Sequence, residues 1–406
     1  MSPVAIRRIA VCFGGGYLPG LASMLGAIVQ AAGQQGWRVV GIRDGFDGML
    51  FPERYPDGGL IELDEPVVDR LAADGGSVLG TGARTDPFRV QAVNADGLVE
   101  QVDRSDALLE MLRAEAVDAL VFVVGGHAVT GSHAMSVAWK LARKGLRCVC
   151  IPKSVENDLA ATTQPFGYHS TLSYSGELLR HIRIAARDVR RLAVVEMPGQ
   201  VAGWLPLQAG MAAGADAVLI PEIPYSIDRL VAQLGTRPDA ALLVVAEGAY
   251  AIRSAPVSAE PPVASPGQAP SSPLPDPDYG VGGQVINRAG LIAQRVSNEL
   301  RRRGTHEVMP LVLDQLVRGG DPSALDHVLA MAYGSAAVRV LATGEDMAGD
   351  GGVLLAGQGD AGEDAPGTGM VPVALSAALN RTRTITANEP LLQQARALGI
   401  VFGEAG

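Results

Sequence analysis

Short apolar runs rich in valine, isoleucine and leucine recur along the chain, and most are followed by a glycine-rich or polar turn and then an amphipathic stretch. Such runs predict buried parallel strands, and the amphipathic stretches predict the helices that connect them. The predicted strands cover 9–13, 37–42, 119–124, 146–151, 213–220 and 308–313, with two more starting near 191 and 240; the predicted helices cover 21–32, 107–114, 162–182, 285–303, 326–339 and 390–403. This alternation is typical of an α/β fold.

The length and apolar content of the chain predict more than one core. The chain has 406 residues, of which 48% are hydrophobic and 19% charged. Single hydrophobic cores stop growing at roughly 250–300 residues, so one two-lobed unit or two domains are expected. One segment, 254–280, is rich in proline, serine and alanine and too poor in large apolar residues to pack on a core. We expect a mobile insertion in a surface loop there, with a functional lid as the alternative.

The charge and the cysteines exclude several classes of partner and site. A net charge of −10 and a pI near 5.2 argue against nucleic acid or an anionic membrane as partner, so local arginine and lysine residues must hold any anionic substrate. Cys12, Cys148 and Cys150 lie in apolar runs, and their odd number argues against a disulfide framework or a zinc site. Neither a signal-type apolar core nor a run of ~18 apolar residues occurs, so the expectation is a soluble cytoplasmic protein.

A dense polar cluster follows the apolar run 146–151. Lys153, Ser154, Glu156, Asn157 and Asp158 stand within six residues of one another. In open α/β sheets ligands bind at the carboxyl ends of the strands, so this cluster is a candidate site. The alternative from the residues alone is a solvated turn closed by the side chain of Asn157 or Asp158.

Two glycine-rich turns each join a predicted strand to a predicted helix. They are Gly14-Gly-Gly-Tyr-Leu-Pro-Gly20 and Gly125-Gly-His-Ala-Val-Thr-Gly131. Glycine allows a close approach of the backbone, and free N–H groups at a helix start can hold an anion. A turn that binds nothing is the alternative for each.

These motifs resemble those of the phosphofructokinase family. The sequence Pro152-Lys-Ser-Val-Glu-Asn-Asp158 is similar to the family's Pro-Lys-Thr-Ile-Asp-Asn-Asp signature, in the form that carries lysine and uses pyrophosphate as donor. Further similar segments occur in the family's order, at 15–20, 44–48, 75–84, 125–131, 166–171, 198–203, 221–222 and 317–320. The resemblance covers nearly the whole chain apart from the insertion.

The resemblance implies two doubly wound lobes with a cleft between them. A donor-binding lobe would comprise 1–167 and 318–372, and an acceptor-binding lobe 168–317 and 373–406. The family also implies a homodimer or homotetramer. The implied activity is transfer of a phosphoryl group from pyrophosphate to a hydroxyl of a sugar phosphate or polyol, with ATP as the less favoured donor.

The resemblance also implies a role for each matched residue. Glu156 would take the proton of the acceptor hydroxyl, assisted by Lys153 and Asp158, and Asp158 would hold Mg²⁺. The implied donor-binding residues are Gly15, Gly16, Arg84, Gly125, Gly126, His127 and Lys153. The implied acceptor-binding residues are Ser154, Arg191, Gln200, Glu222, Gln315 and Arg318, with Arg191 supplied across a subunit contact.

Several positions depart from the family pattern where the chemistry should occur. His127 replaces an acid that helps to hold Mg²⁺, and histidine is a poor ligand for that ion. His127 therefore either contacts a phosphate directly or is the result of simple sequence drift. Glu156 is one methylene longer than the family's aspartate, and Gln200 replaces an arginine. Met309 and Gln315 stand where arginine and histidine are expected. We therefore expect an acceptor other than fructose 6-phosphate, and the alternative is a repurposed or catalytically silent homologue with a changed reaction or a binding or regulatory role.

Overall fold

The computed structural model describes residues 6–73, 77, 79–81, 85–93, 97–125, 131–237, 239–252, 290–303, 307–347, 351–357 and 369–404. The predicted insertion 254–280 lies outside these ranges, as do Arg84, Gly126 and His127.

The strands of the described chain are β1 (Arg8–Phe13), β2 (Arg38–Ile42), β3 (Leu60–Leu63), β4 (Val90–Val93), β5 (Val99–Val102), β6 (Ala119–Gly125), β7 (Arg147–Lys153), β8 (Leu192–Met197), β9 (Ala217–Leu219), β10 (Leu242–Ala246), β11 (Val308–Val312), β12 (Val353–Gly357) and β13 (Met370–Ala374).

The α-helices are α1 (Leu21–Gln34), α2 (Asp47–Leu50), α3 (Glu65–Ala73), α4 (Ser105–Ala114), α5 (Gly131–Arg143), α6 (Tyr168–Asp188), α7 (Trp204–Ala213), α8 (Ile227–Gly235), α9 (Leu291–Arg302), α10 (Ala324–Thr343) and α11 (Pro390–Ala397). Short 3-10 helices cover Pro52–Arg54, Asp314–Arg318, Glu345–Met347 and Leu375–Ala377. Among the described helices, none has the length and apolar character that a membrane crossing requires.

The first lobe is built on a seven-stranded sheet in the order β13-β12-β7-β6-β1-β2-β3. The inner strands are parallel, while β13 and β3 each pair antiparallel with their neighbour at the two edges. Helices α1 and α10 pack on one face, and α4 and α5 on the other. The chain leaves β1 toward β2 on one side and returns through β6 and β7 on the other. The carboxyl ends of β1 and β6 therefore open a crevice at this reversal.

The second lobe is built on a four-stranded parallel sheet in the order β11-β8-β10-β9. Helices α6 and α7 cover one face, and α8 and α9 cover the other. The inner strands β8 and β10 are fully buried because both faces of the sheet are covered, and all their residues except Glu196 are apolar. The prediction of an α/β fold with two doubly wound lobes is confirmed.

The secondary structure differs from the sequence prediction at particular ends. Helix α6 begins at Tyr168, not near 162, because Gly167 in the left-handed region (φ 95°) forms its N-cap. Strand β9 is short because α7 continues to Ala213 and ends at Gly214, which has φ 69°.

Candidate active site

The candidate site lies where the carboxyl ends of β1, β6 and β7 meet. The N–H of Gly14 donates to the carbonyl of Val123 (2.8 Å), which joins the turn after β1 to the end of β6. Lys153 is the last residue of β7, and its Nζ donates to the carbonyl of Gly16 (2.6 Å). A Cβ built on Gly15 would lie 3.4 Å from that Nζ, and one built on Gly125 would lie 3.8 Å from it. The lysine ammonium group thus lies between the first glycine turn and Gly125, the residue at which the second glycine turn begins.

Lys153 is buried and has a second cation beside it. The residue is only 3% exposed. Burial lowers the pKa of its side chain to about 7, and the nearby Arg318 makes a smaller contribution in the same direction. Arg318 ends the 3-10 helix Asp314–Arg318, and its Nη1 lies 3.9 Å from the Cβ position of Gly16. The structure therefore places Arg318, a predicted acceptor-binding residue, against the first glycine turn. In the described part of the chain, neither cation has a carboxylate within ion-pairing distance.

The turn after β7 is closed by the hydroxyl of Ser154. This oxygen accepts the N–H groups of Glu156 (3.0 Å) and Asn157 (2.9 Å) and donates to Oδ1 of Asp158 (2.7 Å). Asn157 has φ 57°, a left-handed conformation that asparagine tolerates better than most residues. All four residues are buried. Ser154, predicted to contact the acceptor, uses its hydroxyl inside the turn, where it binds the carboxylate of Asp158 and the backbone of Glu156.

Glu156 reaches from the first lobe into the second. Its Oε2 accepts the N–H of Gln200 (3.1 Å), in the loop between β8 and α7. The residue is 3% exposed. This contact orients the carboxylate across the line where the carboxyl ends of the two sheets face each other.

Glu222 lies deeper in the second lobe. Its Oε1 accepts N–H groups from Gly203 (3.0 Å) and Ile385 (2.9 Å). Burial raises the pKa of the carboxyl, and the backbone hydrogen bonds from Ile385 and Gly203 partly oppose that rise. The carboxylate thus ties the start of α7 to the segment that follows β13.

Three positions of the predicted acceptor clamp are not gathered at this edge. Arg191 precedes β8 at its amino end, is half exposed, and pairs through Nε with Glu307 (3.0 Å). Gln315 is exposed, and its Nε2 donates to Oδ1 of Asp314 (3.2 Å). Met309, where the family pattern has an arginine, packs against the core of the second lobe.

The structure adds a residue that the sequence motifs did not indicate, Arg383. Its N–H donates to the carbonyl of Asp158 (2.8 Å), and its guanidinium carbon lies 4.3 Å from the centre of the Trp204 ring. Its own carbonyl accepts the Nε1–H of Trp204 (2.9 Å). The only sequence signal for it is a pair of arginines, at 381 and 383, in the polar segment before α11.

The carboxylates of the turn fit a magnesium ion of the kind that the family uses. Mg²⁺ prefers hard oxygen ligands, keeps several waters, and is commonly held by one or two carboxylates together with substrate phosphates. Asp158 and Glu156 offer such oxygens at the crevice. Among the described residues no three His, Cys, Asp or Glu side chains form a group that could bind a metal by themselves. A site that depends on substrate phosphates is the arrangement that these residues allow.

Comparison with known proteins gives one consistent result. A family model described as phosphofructokinase matches residues 8–341. The ATP-dependent 6-phosphofructokinase of Chloroflexus aurantiacus is 31% identical over 405 residues, which cover 98% of each chain. The pyrophosphate–fructose 6-phosphate 1-phosphotransferase of Amycolatopsis methanolica is 33% identical over 342 residues, covering 83% of this chain and 88% of the relative.

The fold agrees with that of a solved structure. The crystal structure of a pyrophosphate-dependent phosphofructokinase from Nitrosospira multiformis superposes with a TM-score of 0.71 at 17% identity, covering 99% of this chain and 93% of that one. At this identity the likeness concerns the fold alone. Because the two sequence relatives are named for different donors, their names do not choose between pyrophosphate and ATP for this chain.

Proposed function

Because the chain belongs to the phosphofructokinase family, we propose that it transfers a phosphoryl group from pyrophosphate to a hydroxyl of a sugar phosphate or related polyol. Residues 1–167 and 318–372 form the donor lobe in this proposal, and 168–317 and 373–406 form the acceptor lobe. The observation that carries it is the position of Lys153, buried between the two glycine turns beside Arg318.

The donor assignment follows from charge and space. Two cations without a carboxylate partner in the described chain repel each other, and a phosphate group between them and the glycine N–H groups would relieve that repulsion. The ammonium group of Lys153 fills space beside both turns, whereas ATP-using relatives commonly have glycine at this position. A compact anion such as pyrophosphate needs less space beside the lysine than a nucleotide does.

The transfer step needs an oriented hydroxyl, a group to accept its proton, and positive charge on the phosphoryl oxygens. Glu156 is the proton acceptor in this proposal, held in direction by the N–H of Gln200. Lys153 and Arg318 supply charge to the donor oxygens. When bound, Mg²⁺ would neutralise further charge on those oxygens, and Asp158, fixed by Ser154, is the carboxylate that would hold it.

The acceptor differs from fructose 6-phosphate in this proposal. Met309 packs in a core and Gln315 bonds to Asp314, so two cations of the family's sugar-phosphate clamp are missing. Each charge-assisted hydrogen bond contributes roughly 1.5–3 kcal/mol, so the loss of these two cations severely weakens the binding of fructose 6-phosphate. Arg191 would contribute only from the partner of a homodimer or homotetramer.

The same two positions support a second candidate, a catalytically silent relative. ³¹P NMR separates the candidates: the purified protein is incubated with Mg²⁺, pyrophosphate or ATP, and a pool of sugar phosphates and polyols. We expect a new phosphomonoester with loss of pyrophosphate, and a rate roughly 10²–10⁴-fold lower in Glu156→Gln. Glu110→Gln, on the exposed face of α4, is the matched control. Turnover with ATP alone would overturn the donor assignment, and no turnover with any pair would favour the silent relative.

A further inference from the structure

Arg383 is a third cation at the cleft, and it lies on the acceptor side. Its backbone is fixed to both lobes: its N–H bonds to the carbonyl of Asp158 in the first lobe, and its carbonyl accepts from Trp204 in the second. Its guanidinium group stacks on the Trp204 ring. Backbone and side chain are therefore both held, and the residue as a whole is partly exposed.

The charge of Arg383 has no ion-pair partner in the described chain: burial lowers its pKa, and Glu389 opposes that shift only from beyond ion-pairing distance. None of the described carboxylates lies within 4.0 Å of it, and its Nη1 is buried without a hydrogen-bond acceptor among the described residues. The hydroxyl of Tyr168, at the start of α6, is likewise buried and unpartnered there. The two groups are near enough for the guanidinium to lower the pKa of Tyr168 against the larger, opposite effect of burial.

Such an arrangement leaves a buried donor of a partly exposed cation, and a buried hydroxyl, without the hydrogen-bond partners that buried polar groups normally have. Each of these two groups can donate a hydrogen bond to an anion, and the planar guanidinium matches phosphate geometry. The backbone N–H of Arg383 donates to Asp158, which stands two residues from Glu156 in sequence, so this arginine lies next to the turn that carries the proposed proton acceptor.

We propose that Arg383, supported by Tyr168, binds the phosphate monoester of the acceptor and so takes over part of the role lost at positions 309 and 315. This inference rests on the proposed phosphotransferase function and deepens it: the acceptor is a phosphorylated sugar or polyol, not a neutral one. Arg383 is a specificity-determining residue, because its effect depends on whether the ligand carries a phosphate.

Isothermal titration without donor tests the inference. The probes are the phosphate monoesters of fructose, sedoheptulose and mannitol, each compared with its unphosphorylated parent. We expect at least one monoester to bind the wild type at least 10-fold more tightly than its parent. Arg383→Met removes that preference and Arg383→Lys retains part of it. Arg381→Met keeps the preference in full, because Arg381 is exposed and two residues away.

An unchanged ratio between monoester and parent in Arg383→Met overturns the inference, as does a wild type that prefers no monoester. A purely structural role would lower affinity for monoester and parent alike. The same samples are titrated with magnesium pyrophosphate, for which Arg383→Met should stay within about 2-fold of wild type. Failure of the wild type to bind pyrophosphate would count against the proposed donor alone, because the monoester ratio is measured without it.

Discussion

The charged side chain of Lys153 lies in a position that excludes water. Its charge therefore favours the binding of an anion but lowers the stability of the folded protein. Burial, with a smaller contribution from Arg318, lowers the pKa of Lys153 from 10.5 to about 7. Between these two pH values the unfolded chain binds a proton that the folded chain does not. The free energy of unfolding contributed by this residue therefore rises with pH across that window.

Replacing Lys153 by methionine should stabilise the protein at neutral pH. Proton linkage at Lys153 acts from about pH 7 to pH 10.5, and between pH 7 and pH 9 it raises the free energy of unfolding of the wild type by about 2 kcal/mol. Lys153→Met cannot gain this stability. The excess stability of the variant should accordingly shrink by that amount. Urea unfolding at the two pH values measures it, with Lys140→Met on α5 as the control lysine. A difference between variant and wild type that is independent of pH would contradict the buried position of the ammonium group.

Arg318→Met tests the second cation of the donor site. Loss of one charge-assisted contact should weaken pyrophosphate binding by roughly 10- to 100-fold. It should also raise the pKa of Lys153, because the cation that helps to lower it is gone. Calorimetric titration with magnesium pyrophosphate at several pH values reports both effects. Arg302→Met, at the exposed end of α9, should leave affinity and pH profile unchanged, and wild-type affinity in Arg318→Met would exclude Arg318 from the donor site.

Some of this site could be predicted from the sequence, and the reason is local. Lys153, Ser154, Glu156 and Asp158 are close in the chain, and the rule that parallel strands end at one edge brings them to the glycine turns. Gln200, Trp204 and Arg383 meet that turn only through tertiary pairing of distant segments. Their approach depends on how two sheets pack, which no spacing in the sequence records.

At the scale of elements, the strands with uninterrupted apolar runs were predicted to within about two residues, as for β1, β2, β6 and β7. Strands β3 and β13 were missed because they are short edge strands of the sheet with mixed burial. The helix predicted from 162 begins at Tyr168 because residues before that position make hydrogen bonds outside the helix. Thr162 and Gln164 bond there to the hydroxyl of Tyr333 on α10.

Gly334 sets the distance between α1 and α10. A Cβ at this position would lie 2.5 Å from the carbonyl oxygen of Met24 and 3.0 Å from Cβ of Ala27. Neither neighbour is the end of a flexible side chain, so Gly334→Ala must push the helices apart. We expect it to lower the free energy of unfolding by roughly 1–3 kcal/mol in urea titrations.

The matched control is Gly33→Ala, in the last turn of α1. Nothing lies within 4 Å of its Cβ position, and its φ is not in the left-handed region. Alanine there should stabilise the protein by roughly 0.5–1 kcal/mol through helix propensity. Equal effects of the two substitutions would mean that propensity decides at both positions and that the close approach at Gly334 does not.

At the scale of the whole molecule, the two lobes are held together around the site by polar contacts. Glu156 bonds to Gln200, Arg383 bonds to Asp158 and Trp204, and a buried network joins the starts of α6 and α10. The molecule carries a net charge of −10, whereas Lys153 and Arg318 at the cleft have no carboxylate within ion-pairing distance in the described chain. Local charge can thus oppose the global field, as an anionic substrate requires.

The network between α6 and α10 centres on Asp326, which is 0% exposed. Its Oδ2 accepts the N–H (2.5 Å) and the hydroxyl (2.6 Å) of Ser170, and the Ser170 oxygen in turn accepts the N–H of Ser323 (2.9 Å). Asp326→Ala leaves buried donors of α6 without an acceptor. It should lower the free energy of unfolding by roughly 2–4 kcal/mol, measured by urea titration. Asp188→Ala, at the exposed end of α6, should change it by less than about 0.5 kcal/mol.

A double-mutant cycle shows whether this contact couples the lobes or only fills space. Ser170→Ala removes the hydroxyl but keeps the N–H, so its own cost should be smaller, roughly 1–2 kcal/mol. If the hydroxyl bonds to Asp326 as the geometry indicates, its loss should cost little once Asp326 is alanine, and the coupling energy should be roughly 1–2 kcal/mol. Additive losses would show that the two side chains stabilise α6 and α10 separately, and the contacts at Glu156 and Arg383 would then be the polar ties that position the lobes around the cleft.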